Sequence, residues 1–386
     1  MNKHKKWCIG FLGIMLVSLF TMGFTIYSID PYQIYNFNNP SKEFMESRSL
    51  YIQRYLAAGF AKNLDYETIL VGSSMSENMT VNKMDEAFGT KSAKLSISGG
   101  TPYEIKNVLK KAISTGKVKN AIVCVDGYMY KNEIDFHRTP YPEYLYDNNP
   151  FNNLRYLLNL VIFKDAVQLY TNNKSTPEGF DINNLYLDNP NTIYSYDRVL
   201  DGYEVLIYSD IRDNTLENDF KRMLSFPEDN ENYILMQKNF EANLLSIIKD
   251  NPDVNFKLYY PPNSILYWNR TVGGDQHLRL LRFKQYMYET LREYPNVEIY
   301  DFQDVKEITF NLEYYKDSSH YSKEVCDKLI ERMATKTDLL TDDNYLQKIE
   351  NLSNQLQNAT LKEIREYSKK WVREIAKRFL FLFYKY

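Results

Sequence analysis

Short β-branched runs that break into glycine and serine, with a helix pattern between them, constrain this chain more than any other feature. Thr68-Ile69-Leu70-Val71 runs directly into Gly72-Ser73-Ser74, and a second strand from Ala93 to Ile97 runs into Ser98-Gly99-Gly100. A helix start follows at once. Thr101, Pro102 and Glu104 make a capping box with proline in the first helical position. Ile105, Val108, Leu109 and Ala112 fall on one face, Gly116 stops the helix, and Asn120 to Val125 reads as the next strand. A β-α-β-α-β series of this kind predicts a parallel, doubly wound α/β sheet. The serines then lie on a strand-to-helix turn at the carboxyl end of a strand, where open α/β sheets build sites.

Regular patterning lapses from about residue 128 to 233, which is rich in Asn, Tyr, Asp and Pro and reads as an insertion of short helices. It resumes with Phe240, Leu244, Ile247 and Ile248 on one helical face, and a strand from Asn255 to Tyr260 that Pro261 and Pro262 end. A helix over about residues 276–293, a strand from Val297 to Tyr300 and a helix carrying Val325, Leu329 and Met333 complete the pattern. Ser41 begins a lead-in helix through Met45, Tyr51, Tyr55 and Leu56.

At 386 residues the chain is long enough for one large domain with insertions. Its net charge of -3 offers no basic face of the kind nucleic acid requires, so nucleic acid is not expected as a partner. The 34 tyrosines suit a carbohydrate-facing surface, and a compositional bias of the genome yields the same excess. Cys8, Cys124 and Cys326 have no paired spacing, so neither a disulfide framework nor a zinc site is expected, and no cofactor or metal is implied.

No charged residue occurs from Trp7 to Ile29, while Lys3, Lys5 and Lys6 precede that stretch. It is long enough to cross a bilayer, and with so long an apolar run and no clear small-x-small site before Asp30 it reads as an uncleaved anchor rather than a cleaved signal peptide. The lysines hold the N-terminus in the cytoplasm, so everything after Ile29 is expected outside. The expected division is a cytoplasmic N-terminus at residues 1–6, an anchor at 7–29, a linker and lead-in helix at 30–66, the α/β domain at 67–337 and a helical tail at 338–386. In the tail Leu361, Ile364, Trp371, Val372, Ile375, Phe379 and Leu382 form an apolar stripe flanked by Lys362, Arg365, Lys369, Lys370, Arg373, Lys377 and Arg378. Such a basic amphipathic helix lies on a membrane, meets a membrane partner or docks on its own domain.

Four histidines are present, and His320 alone has a carboxylate, Asp317, three residues before it. A serine hydroxyl needs a base within hydrogen-bond reach and amides aimed at the developing oxyanion. Ser74 on the first turn, His320 as base and Asp317 as orienting acid meet that need from two distant segments, with the amide of Ser74 as an oxyanion-hole candidate. Ser73 and Ser76 are alternative hydroxyls. Alone, Gly-Ser-Ser makes a turn and Asp-x-x-His caps a helix; their pairing at the first strand and last helix of one pattern points to a site. His137 and His277 have no acid at useful spacing and read as surface or loop residues.

These residues resemble the motifs of the SGNH (GDSL-like) hydrolase superfamily. Leu70-Val71-Gly72-Ser73-Ser74 is similar to its nucleophile block, with Ser73 where aspartate is usual; Gly99-Gly100 is similar to its glycine block and Asp317-x-x-His320 to its last block. The resemblance implies the Gly99 and Gly100 amides as further oxyanion-hole candidates, while on their own the two glycines equally make a tight strand-to-helix turn. The resemblance covers about Thr68 to Met333 outside the insertion and implies a flavodoxin-like, SGNH-like sheet. The family's third block supplies an asparagine to the oxyanion hole, whereas this chain has Val125-Asp126-Gly127. An ionised Asp126 would repel an oxyanion, so its expected role is to hold loop amides at the strand end. The Ser-Ser block, the anchor and Tyr260-Pro261-Pro262-Asn263-Ser264 resemble membrane-anchored envelope proteins that work beside membrane-bound O-acyltransferases, including those of D-alanyl-lipoteichoic acid and alginate acetylation. That implies acyl transfer to, or removal from, a cell-envelope polysaccharide or teichoic acid through a Ser-His-Asp triad. A non-catalytic surface protein that binds glycan or an acyltransferase is the alternative, and hydrolysis with water as acceptor is a third reading.

Overall fold

Five parallel strands in the order β2-β1-β3-β4-β5 form the centre of the molecule, a computed structural model that describes residues 3–35, 50–171, 185–201, 207–212 and 215–369. The strands are β1 (Thr68–Val71), β2 (Ser92–Lys94), β3 (Asn120–Cys124), β4 (Asn255–Tyr260) and β5 (Val297–Asp301). Ile69 pairs with Ala93 on one side and Ala121 on the other, and Leu258 lies between Val123 and Ile299. The strands are almost continuously buried, as a parallel sheet covered by helices requires. The chain is therefore α/β with an all-parallel sheet.

The helices that matter here are α1 (Lys3–Ile29), α2 (Leu50–Asn63), α3 (Val81–Phe88), α4 (Pro102–Ile113), α5 (Leu154–Leu157), α6 (Leu160–Thr171), α7 (Gln276–Leu291), α8 (Lys323–Ala334) and α9 (Tyr345–Asn358). The expected capping box on α4 is present: the Glu104 N–H donates to Thr101 Oγ1 and the Thr101 N–H to Glu104 Oε2. Val108, Leu109 and Ala112 are its buried face, and Gly116 takes a φ of 74° after its end. By length and composition α1 can cross a membrane.

Several boundaries differ from expectation for local reasons. β2 ends at Lys94, yet Leu95 and Ile97 still donate to the carbonyls of Leu70 and Gly72, so the strand curls around the serine turn. The helix through Phe240 and Ile248 is interrupted by a π-turn at Glu241–Leu245, which keeps Phe240, Leu244, Ile247 and Ile248 all buried. Residues 338–340 extend the β5 edge past the expected boundary at 337: the Asp301 N–H donates to Asp338 and the Leu340 N–H to Ile299.

His277 corrects the reading of it as a surface residue. It is buried on α7, against the Tyr208 ring and 3.4 Å from Asp219 Oδ2. The tail packs on its own domain as far as the described residues run: Ile364 is buried and Ser368 Oγ accepts from the Leu312 N–H. The expected helix start at Ser41 and Met45, and the stripe and cations from Lys370 to Leu382, lie outside the described residues.

Candidate active site

The turn after β1 is shaped by what Gly72 must approach. A Cβ on Gly72 would stand 2.6 Å from Cys124 Cβ and 2.7 Å from Ser76 Oγ, so only glycine lets the chain pass β3 there. The next three serines then have different fates. Ser73 is buried and accepts from the Met75 N–H through Oγ, capping the 3-10 turn Ser74–Ser76. Ser76 is fully buried and donates to the Ser73 carbonyl, with Ser96 Oγ at 2.7 Å. From Thr68 to Val81, Ser74 alone is not buried. The alternative hydroxyls are thus committed to the turn, and Ser74 is the one presented.

His320 Nε2 lies 2.8 Å from Ser74 Oγ, and His320 Nδ1 lies 2.8 Å from Asp317 Oδ2. The other Asp317 oxygen accepts from the backbone N–H groups of Ser319 and His320, each at 2.8 Å. Burial alone would raise the Asp317 pKa. Hydrogen bonds from the His320 ring and these two amides, with the His320 charge, outweigh it and bring the carboxyl to about 2. Asp317 is therefore a carboxylate at neutral pH, suited to orient the ring and to balance an imidazolium.

The loop that carries this pair is a closed unit. Tyr315 and Tyr321 form an antiparallel bridge, the Lys316 N–H donates to the His320 carbonyl and the Ser322 N–H to that of Tyr314. The end of β4 braces it from one side: Ser264 Oγ donates to the Ser318 carbonyl at 2.6 Å and Tyr315 Oη to the Pro262 carbonyl at 2.6 Å. Asn78 braces it from the other side, donating to the Tyr321 carbonyl and to Asp188 while accepting from the Asp188 N–H. Lys316 Nζ is 2.6 Å from Asp188 Oδ1, so the insertion holds the same loop. Hydrogen bonds from Asn78 and Lys316 keep Asp188 ionised despite its burial. No local motif marks Asn78, Asp188 or Tyr315, because the groups of the histidine loop and β4 end that they bind are distant in the chain.

The glycine turn differs from expectation at one atom. The Gly100 N–H donates to the Ile97 carbonyl at 2.9 Å, so it closes the turn rather than serving as an oxyanion donor. Gly99 has a φ of 59° and its carbonyl accepts from Arg138 Nε. The candidates that remain are the Ser74 and Gly99 amides. A fully buried ion pair organises this turn, with Arg54 Nε and Nη2 each 2.7 Å from a Glu104 oxygen and Arg54 Nη1 donating to the Ser98 carbonyl.

Asp126 stands at the end of β3 and caps the following 3-10 turn, accepting from the Tyr128 N–H at 3.2 Å. Its surroundings also set its charge. Burial pushes its carboxyl up to about 6, against the pull of the Tyr128 amide and of the His320 and Lys131 charges. Asn263 is buried and lines the same small cavity as Asp126, Tyr128 and Trp268, a side-chain amide that the sequence reading left without a role. Among the described residues no group of three or more His, Cys, Asp or Glu is placed to hold a metal ion.

The arrangement can take a proton from Ser74 and pass charge to an oriented imidazole. No family model, curated protein or solved structure matches this chain.

Proposed function

We propose that this chain is a membrane-anchored, extracytoplasmic SGNH-like serine acyltransferase or esterase acting on O-acyl groups of a cell-envelope polysaccharide or teichoic acid. The observation that carries it is the unbroken line from Ser74 Oγ through His320 to Asp317, with 2.8 Å at each junction. The strand order β2-β1-β3-β4-β5 supports the fold side of the reading, because flavodoxin-like sheets share it and place their sites at strand carboxyl ends. α1 supports the anchor.

In the first step Ser74 Oγ attacks the ester carbonyl, its proton moves to His320 Nε2, and the alcohol leaves with that proton as the acyl group becomes bonded to Ser74. In the second, a sugar or polyol hydroxyl gives its proton to His320 as its oxygen bonds the acyl carbon; the bond from that carbon to Ser74 Oγ breaks, and His320 returns the proton to Oγ. A membrane-bound O-acyltransferase is the proposed partner that supplies the acyl group.

Labelling of the full-length protein with a serine-directed phosphonate tests the reading. Wild-type protein should label, and Ser74→Ala and His320→Ala should not; labelling that persists in Ser74→Ala overturns it. A second reading, a surface protein that binds glycan without turnover, is favoured by aspartate rather than asparagine at position 126 and by the bonded Gly100 amide. Ester turnover abolished by His320→Ala excludes that reading.

A further inference from the structure

The insertion carries a surface that a water-soluble face does not explain. Phe151, Leu154, Leu158, Leu160, Val161, Val167 and Tyr170 are all exposed, Phe151, Leu160 and Tyr170 by about three quarters of their surface. On α6 the exposed positions Leu160, Val161, Lys164, Val167, Gln168 and Thr171 recur at helical spacing, while Ile162 and Ala166 are buried on the opposite side. α6 thus has one packed face and one bare face, and the bare face carries Leu160, Val161 and Val167 beside Lys164, Gln168 and Thr171.

What lies under the packed face is α1. Both α5 and α6 pack against it, and its buried residues are Met22 and Ile26, near its C-terminal end. A Cβ on Gly23 would lie 3.7 Å from Leu157 Cβ, so the helix backbones approach closely. Polar clamps hold the unit together just past α1: Asp30 accepts from the Ile34 and Tyr35 amides and from Tyr156 Oη, and Tyr32 Oη donates to Asp165.

Trp7 to Ile29 rises about 34 Å as a helix, slightly more than a hydrocarbon core of about 30 Å. The seat of α5 and α6 covers its last two turns, about 10 Å. That matches the depth of about 5–10 Å to which interfacial helices sink. The exposed charges of this segment, Arg155 and Lys164, are both cationic and suit lipid phosphate.

We infer that α5 and α6 lie in the bilayer interface, in the leaflet where the C-terminal end of α1 emerges, with Leu158, Leu160, Val161 and Tyr170 among the acyl chains. The domain is then held to the membrane at two points, a span and an interfacial hairpin, which fixes its tilt. The inference rests on α1 crossing a bilayer and needs none of the serine chemistry.

The test uses the full-length chain with Cys8→Ser, since Cys124 and Cys326 are buried, and a new cysteine at Leu160, Val161 or Tyr170 carrying an environment-sensitive fluorophore. Phe11→Cys on α1 and Gln347→Cys on the exposed side of α9 are the references. In nanodiscs of phosphatidylcholine and phosphatidylglycerol, the three interfacial labels should be quenched by shallow doxyl-lipid several-fold more than the Gln347 label and be shielded from iodide. Iodide quenching without lipid quenching overturns the inference. Shielding from both quenchers also overturns it, because protein then covers the face. Loss of lipid quenching at Phe11 as well overturns it together with the anchor.

Discussion

Ser74 Oγ and His320 Nε2 lie 2.8 Å apart although 246 residues separate them in the chain. The contact is built by two turns, each held by its own internal hydrogen bonds. Ser76 ties down the serine turn, and the Lys316 amide closes the histidine loop. Removing either side chain should therefore abolish ester turnover without unfolding the protein. For Ser74→Ala and His320→Ala the expected loss in kcat is on the order of 10⁴-fold or more, and for Asp317→Asn on the order of 10³ to 10⁴. Steady-state kinetics on small acetyl esters, beside circular dichroism, check this; a Ser74→Ala variant with undiminished turnover would count against the triad.

Asp126 should make the activity depend on pH in a definable direction. Its folded carboxyl titrates near 6, above the ordinary carboxylate value, so it is neutral in the cleft below that pH and charged above it. Asp126 is near enough to His320 for the two charges to interact, and a negative charge near the triad opposes a developing oxyanion. The ratio of kcat/KM for Asp126→Asn to that for wild type should be near one below pH 5 and climb several-fold as pH rises through 6. A flat ratio from pH 4.5 to 8 contradicts this placement of Asp126. The same raised value means that the charged form is disfavoured in the folded state, so the stability Asp126 contributes is full below its ordinary value of 3.8, is lost as pH rises from there to about 6, and does not change further above it. Asp126→Asn should remove that part of the pH dependence in denaturant titrations.

The pair of Arg54 and Glu104 is fully buried, and Glu104 also serves the α4 cap and accepts from the Arg138 amide. Loss of one member leaves an unpaired buried charge. Arg54→Ala should lower stability by about 3–5 kcal/mol, and it should reduce turnover as well because Arg54 holds the Ser98 carbonyl beside Gly99. Urea unfolding and ester kinetics measured together separate the two effects; unchanged unfolding would show that the pair is dispensable.

Gly72→Ala tests the close approach of β1 to β3. The added methyl meets a Cβ and a hydroxyl at distances no real Cβ tolerates. Overpacking of this kind costs about 1–3 kcal/mol, and here the displaced atom is Ser76 Oγ, which anchors the serine turn. Reduced thermal stability with a disproportionate drop in phosphonate labelling is expected. A variant with native stability and labelling would show that the turn has room.

Much of the architecture is encoded locally. Strands β1, β3, β4 and β5 end where glycine, proline or polar residues break their apolar runs, and α4 begins where Thr101, Pro102 and Glu104 satisfy its free amides. Backbone hydrogen bonding and side-chain period are short-range, so a reader of the chain can find them. Ser74, His320 and Asp317 were legible for a related reason, since each sits in a short motif and Asp317 reaches His320 within one loop.

What the chain alone could not decide was everything that depends on which distant atoms meet. His277 looked solitary until the fold brought Asp219 to it, and Gly100 looked like a donor until Ile97 claimed its amide. Asn78, Asp188 and Ser264 acquire their roles only because the insertion and the end of β4 close around the histidine loop. Hydrogen-bond satisfaction and burial are properties of the packed molecule, because they depend on distances across space that no sequence spacing records.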